Sequence, residues 1–350
     1  MKKIKVFLAG WVNFTNAQNL NCRSLAKHLD KERFEVATMW LYNGNLPIDS
    51  DLDGVKLLRC HWPSRYWIYI TYLRGILWCD VAYLPKGEIW QFCARWLKRL
   101  GKKSFTTVEG VIDGSNLTKA IAFHGSRQAV VDSYSFTTKT FSITRYMAER
   151  NRALLGIHSD GVLYLGVEAD RFQAQPRNHD SLTDIAFIGN NMRYKGVEDF
   201  FTLAARFPAI TFHIVGGGIG YDAPARVAEL QLTNVVCHGT LPHDRLAALL
   251  AKVDLHIFPS RSEGFPKVTL ETAAMGVPSV VYADYGASEW ITSGVNGFVV
   301  NSLDEIIAIV TDLSAHPDRL APLSAAAIRM AHSFDWRSLI HSWQRAIESL

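Results

Sequence analysis

Glu263-Gly264-Phe265-Pro266-Lys267-Val268-Thr269-Leu270-Glu271 places two carboxylates eight positions apart across a strand-to-helix corner. Upstream, Val253-Asp254-Leu255-His256-Ile257-Phe258 reads as a buried strand. Pro259 and Gly264 punctuate the loop, and the pattern from Thr269 to Met275 predicts a helix. The first Glu then falls in the loop and the second in the opening turns of the helix. A helix N-terminus offers N–H groups and the positive end of its dipole to an anion. Phosphate on backbone and sugar hydroxyls on two carboxylates is a chemistry suited to a nucleotide sugar. A Glu pair at this spacing is common in proteins, so its surroundings decide the reading.

Those surroundings are Pro259-Ser260-Arg261-Ser262-Glu263-Gly264-Phe265-Pro266, followed by Glu271-Thr272-Ala273-Ala274-Met275-Gly276-Val277-Pro278. The whole string resembles the donor-site signature of the retaining family-four glycosyltransferases. The resemblance implies an α/β chain of GT-B architecture: two Rossmann-like domains facing a cleft, with a C-terminal helix crossing back to the first. It implies that Glu263 lies at the donor sugar and that Glu271 binds the ribose hydroxyls. The main-chain N–H groups of Gly264, Phe265, Lys267 and Val268 would meet the donor, whereas Pro266 has none to give.

Length and composition agree with two such domains. A chain of 350 residues is long for one core, and 48% apolar content fills two. A net charge of +4 is too small to point to nucleic acid. Five scattered cysteines without a C-x-x-C pair suggest reduced thiols in a cytoplasmic protein, neither a disulfide frame nor a zinc site. The opening Lys5-Val6-Phe7-Leu8-Ala9 is too short for a secretory signal core and predicts a first strand. No run approaches the roughly 18 apolar residues that span a bilayer.

Strands alternate with helices along both halves, which predicts parallel sheets. The polar stretch from Asp170 to Asp184, with Gln173, Pro176, Asn178 and His179, is the candidate linker. Tyr164-Leu165-Gly166-Val167-Glu168 resembles the junction of the family. The expected division is an acceptor domain over 1–168, a donor domain over 169–332 and a returning helix over 333–350.

In Met192-Arg193-Tyr194-Lys195-Gly196, Lys195 precedes a helix and follows the predicted strand ending at Gly189. In the family a Gly-Arg pair and a later Lys-Gly neutralise the donor diphosphate. Lys195 and Gly196 match, Asn190 stands at the usual Arg position, and Arg193 is near enough to substitute. Gly216-Gly217-Gly218-Ile219-Gly220 lacks the spacing of a dinucleotide fingerprint. By resemblance, Gly216 and Gly218 let the backbone approach the nucleotide. Glu289 resembles a supporting acid of the same domain.

The match weakens in the first half. Gly10-Trp11-Val12-Asn13-Phe14 replaces the family's Gly-Gly loop. Glu109 takes the place where the family often has a His facing the reacting sugar, with His124 as the alternative. Asp51-Leu52-Asp53 reads as a solvated turn, and no cofactor or essential metal is expected. Ile89-Trp90-Gln91-Phe92-Cys93-Ala94-Arg95-Trp96-Leu97-Lys98-Arg99-Leu100 is amphipathic, and Trp and Tyr interleave with Arg upstream of it. That pattern fits a helix covering its own domain, or one lying on an anionic inner leaflet.

The resemblance implies a retaining transferase with a nucleotide-diphosphate sugar as donor and a glycan or lipid-linked molecule as acceptor. Two rivals remain. A sugar-nucleotide epimerase would share the fold and need no acceptor. A non-catalytic sugar-nucleotide-binding subunit would fit Asn190, Glu109 and the altered first loop.

Overall fold

The computed structural model describes residues 2–44, 52–85, 87, 89–172, 174, 180–218 and 220–350. The chain divides into two units, one formed by Met1–Leu165 with Trp336–Leu350 and the other by Gly166–Asp335. The first holds β1 (Ile4–Trp11), β2 (Phe34–Leu41), β3 (Lys56–Cys60), β4 (Val81–Tyr83), β5 (Lys103–Val108) and β6 (Lys139–Ser142). The second holds β7 (Asp184–Ile188), β8 (Thr211–Val215), β9 (Val235–Gly239), β10 (Leu255–Phe258), β11 (Ser279–Tyr282) and β12 (Gly297–Val300).

The first sheet runs β3-β2-β1-β4-β5-β6 and the second β12-β11-β10-β7-β8-β9, all pairings being parallel. Both are the Rossmann order, read from opposite ends. In each the strand order reverses once, between β1 and β4 and between β7 and β10. Open α/β sheets bind ligands at such a switch point, outside the carboxyl ends of the strands.

Alternation along β7 shows why the second sheet is covered on both faces. Ile185 and Phe187 enter one core with Phe200, Phe212 and Tyr282. Ala186 and Ile188 enter the other with Phe258, Leu270, Val281 and Trp290. Phe200 packs its ring 5.6 Å from Phe187 and 5.1 Å from Phe212. Removing it would cost roughly 3–5 kcal/mol, as for other buried aromatic truncations.

The C-terminal helix Trp336–Glu348 belongs to the first unit. Its buried Trp343 donates from Nε1 to the Tyr164 carbonyl at 3.0 Å and sets its ring edge against Tyr83 at 5.6 Å. Arg33 bonds Gln344 and pairs with Glu348. Just before the expected linker, Val167 bridges to Asp335, and the Ala169 N–H donates to the Asp335 carboxylate at 3.0 Å. Phe172 and Leu182 are buried in the second unit, while Gln173, Pro176, Asn178 and His179 lie outside the described residues.

Two aromatic-rich segments of the first unit are helices. The Trp/Tyr-rich stretch is a helix, Ser64–Trp78, pressed onto β1 so closely that a Cβ on Gly75 would overlap the Phe7 ring. The amphipathic helix Trp90–Leu100 buries Cys93 and Leu97, and Phe92, Trp96 and Leu100 pack against the same core. Its apolar stripe is thus occupied within its own unit.

Candidate active site

The loops after β7 and β10 meet at the second switch point. Gly196 adopts φ 79°, and a Cβ there would overlap the Pro259 carbonyl, so only glycine fits. Gly216, at φ 134°, is pressed in the same way against the Gly189 carbonyl. These close approaches bring Lys195 to Glu263, with Nζ 2.6 Å from Oε1. Ser260, fully buried, donates from its hydroxyl to the same oxygen at 2.6 Å. Lys195 Nζ also lies 5.1 Å from the centroid of Phe258, the last residue of β10. Sequence reasoning assigned Ser260 no role. A hydroxyl three positions before Glu263 was its available signal.

Glu263 leads into the helix Lys267–Ala274, whose start is Pro266, with no side-chain cap and no acid in the first turn. A helix start without a side-chain cap leaves first-turn N–H groups and the positive end of the dipole available to an anion. The side chain of Phe265 is a core peg, 4.9 Å from Trp290 and 6.1 Å from Phe334 by ring centroids, and Val268 packs into the same core. Both side chains fix the loop by packing into the core. Glu271 stands in the second turn. Burial raises its carboxyl above the usual range, opposed by the charges of His243 and Lys267.

The glycine loop is organised by the residue expected to sit at the phosphate. Asn190 accepts the Gly217 N–H through Oδ1 at 2.9 Å, and a Cβ on Gly218 would overlap the Tyr221 carbonyl. Arg193 is placed apart from the Lys195–Glu263 pair in its contacts, its guanidinium 5.7 Å from the Tyr221 ring centroid. Tyr221 donates to Glu198 at 2.7 Å, and Arg226 pairs with the same carboxylate at 3.2 Å. A cavity of 540 Å³ opens here, walled by Met192, Gly216, Gly218, Tyr221, Asp222 and Cys237 among others. Ile219 lies outside the described residues.

In the first unit, Glu109 follows β5. Its Oε1 accepts from the Thr107 hydroxyl at 3.0 Å and from Tyr83 at 3.4 Å. Burial and the Glu109 charge push the Tyr83 phenol well above its ordinary value, so it stays a neutral donor. Gly10 packs against Cys22, and Trp11 donates its N–H to Asn19 Oδ1 at 2.8 Å. His124 is lowered by burial and stacks edge-on to Phe123 at 4.9 Å. Asp53 is exposed, and Asp51 lies outside the described residues. All five cysteines are free thiols, and burial pushes Cys79 and Cys93 up to about 12. Among the described residues, no group of three His, Cys, Asp or Glu side chains is placed to hold a metal ion.

The strand order and the backbone of both units define a GT-B fold. The structure of Anabaena HepE in complex with UDP shares it with a TM-score of 0.81 at 16% identity, over 99% of this chain and 100% of that one. Residues 183–316, within the second unit, match the family described as Glycosyl transferases group 1. Alpha-galactosylglucosyldiacylglycerol synthase of Streptococcus pneumoniae is 28% identical over 172 residues, covering 46% of each chain. D-inositol 3-phosphate glycosyltransferase of Thermobispora bispora is 36% identical over 131 residues, 35% of this chain and 31% of that one. The chain thus spans half or less of these curated relatives' length.

Proposed function

We propose that the protein is a retaining glycosyltransferase that moves a sugar from a nucleoside-diphosphate sugar to a glycan or lipid-linked acceptor. The observation that carries this reading is the Lys195–Glu263 pair, 2.6 Å apart at the second switch point beside an uncapped helix start. The matched family and the curated transferases support it, as do the UDP and the UDP-glucose named in the HepE structures.

The donor diphosphate lies along the start of helix Lys267–Ala274, with the main-chain groups of Gly264, Phe265, Lys267 and Val268 facing it. Lys195 neutralises the charge that develops on the leaving phosphate, and Arg193 supplies a second cation by moving from Tyr221. Glu263 holds Lys195 in place and accepts hydroxyls of the transferred sugar. Glu271, raised by burial with His243 and Lys267 opposing that rise, accepts the ribose hydroxyls. Gly216 and Gly218 allow the nucleoside near the backbone, and Asn190 fixes their loop. The acceptor oxygen bonds to the anomeric carbon on the face that the phosphate leaves, and its proton passes to that phosphate. Charge is balanced by these side chains without an essential metal. Glu109 orients an acceptor or sugar hydroxyl in the first unit.

Synthesis of surface polysaccharide or glycolipid at the inner face of a membrane, with peripheral contact to anionic lipid, completes the reading. A second reading, a sugar-nucleotide-binding subunit without transfer, is favoured by Asn190, which contributes no charge at the usual Arg position. Thermal shift with UDP, GDP, ADP, TDP and CMP tests both. A ligand at 100 times its Kd stabilises the fold by about 2.7 kcal/mol. A shift with one diphosphate that Lys195→Ala abolishes is the expected result; no shift with any would overturn the donor site. A shift without transfer to any acceptor would favour the second reading.

A further inference from the structure

Helix Ser64–Trp78 is apolar on two sides. Thr71, Tyr72, Gly75 and Ile76 face the core, whereas Tyr66, Tyr69, Ile70 and Leu77 are 60%, 44%, 46% and 52% exposed. The spacing of those four puts them along one crest. Trp62, 69% exposed, stands just ahead of it. Arg65 and Arg74 are exposed on the same helix. The crest adjoins helix Trp90–Leu100 through Tyr69 and Phe92, whose rings are 5.2 Å apart. Arg95, Lys98 and Arg99 are exposed along that second helix. No Asp or Glu occurs from 55 to 79 or from 89 to 108.

We propose that this crest, flanked by the basic edge of helix Trp90–Leu100, is the surface that seats the protein on an anionic lipid bilayer. The inference rests on the membrane-peripheral part of the proposed function and names the residues that serve it. Tyr and Trp are stable where an apolar body meets hydrated headgroups. Each Lys or Arg brought to an anionic leaflet adds roughly fivefold to partitioning. A second copy fits less well. Two-fold pairing of this face would oppose Arg to Arg with no acid between, while protein interface cores are depleted in charge.

The test is flotation of the full chain with vesicles of phosphatidylcholine containing phosphatidylglycerol, against phosphatidylcholine alone. Tyr66→Ser/Ile70→Ser/Leu77→Ser removes the crest, Arg95→Gln/Lys98→Gln the flank. Phe123→Ser, at a residue 65% exposed elsewhere in the unit, is the control. The parent and the control should float with the anionic vesicles only. The flank variant should bind about 25-fold more weakly, two basic residues at about fivefold each. The crest variant should lose at least as much, with melting temperature and diphosphate thermal shift unchanged. Equal flotation of parent and crest variant would overturn this surface and leave the membrane reading standing. A parent that floats with neither vesicle would overturn both. Sedimentation of the parent as a dimer that the crest variant dissociates would assign the crest to a second copy instead.

Discussion

The two sheets share one strand order, yet their switch points are finished by opposite means. After β1, Asn16 caps helix Ala17–His28 by accepting the Asn19 N–H, and Asn19 takes the Trp11 N–H. Asn13 ties the same loop to both backbone groups of Leu41. Polar backbone at the first switch point is satisfied by the chain's own asparagines. After β10, no side chain caps the helix, and a charged pair, Lys195 and Glu263, stands beside it. Topology therefore fixes where a ligand can lie, while the residues at the helix start decide whether an anion finds donors there.

The largest effect should come from Lys195→Ala. We expect kcat/KM for transfer to fall roughly 10²–10³-fold, the loss typical of one preorganised charge stabiliser. Retention of activity within a few-fold would erase the distinction between the two switch points. Glu109→Gln should lower kcat/KM by roughly 10–100-fold through one charge-assisted hydrogen bond, and leave diphosphate binding unchanged. A lost diphosphate thermal shift in that variant would move part of the donor site into the first unit. Asn190→Ala should weaken diphosphate binding about fivefold, since the Gly217 N–H loses a partner contributing about 1 kcal/mol. Titration calorimetry separates that from an effect on transfer.

The smallest effect concerns pH. Burial raises the Glu271 carboxyl above its ordinary 4.5, so the folded state binds that proton more tightly than the unfolded chain. Its stabilising contribution is whole below the unfolded value and is lost as pH rises through the folded one. Glu271→Gln should therefore raise Tm by at most a few degrees at neutral pH. The gain should vanish as pH falls toward 4.5, while donor affinity drops at neutral pH. An equal gain at both pH values would place the cause elsewhere.

Most strands of both sheets are legible because runs such as Asp184–Ile188 and Thr211–Val215 are apolar, β-branched and bounded by glycine. Lys139–Ser142 escapes, being short and apolar only at Phe141, with no punctuation after it. Helix Ser64–Trp78 hides for the contrary reason: apolar on two faces, it shows no stripe. For Trp90–Leu100 the stripe is plain, but nothing in a periodicity says whether core or lipid covers it. The candidate site divides likewise. Its loop, its glycines and its helix start lie in contiguous sequence. The bond from Lys195 to Glu263 crosses 68 positions and depends on Gly196 passing under the Pro259 carbonyl. Asn190 looks like a lost phosphate ligand in sequence and is a loop tether in space.

The return of Trp336–Leu350 to the first unit reverses the usual order of assembly during synthesis. The second unit is one continuous stretch, whereas the first awaits Trp343, whose ring closes on Tyr83 and Phe105. At about 5–20 residues per second, the ribosome needs roughly 10–30 s to make the intervening Gly166–Asp335. The half of the protein that leaves the ribosome first is thus the half completed last. Its unfinished sheet is the surface that a nascent-chain chaperone would meet.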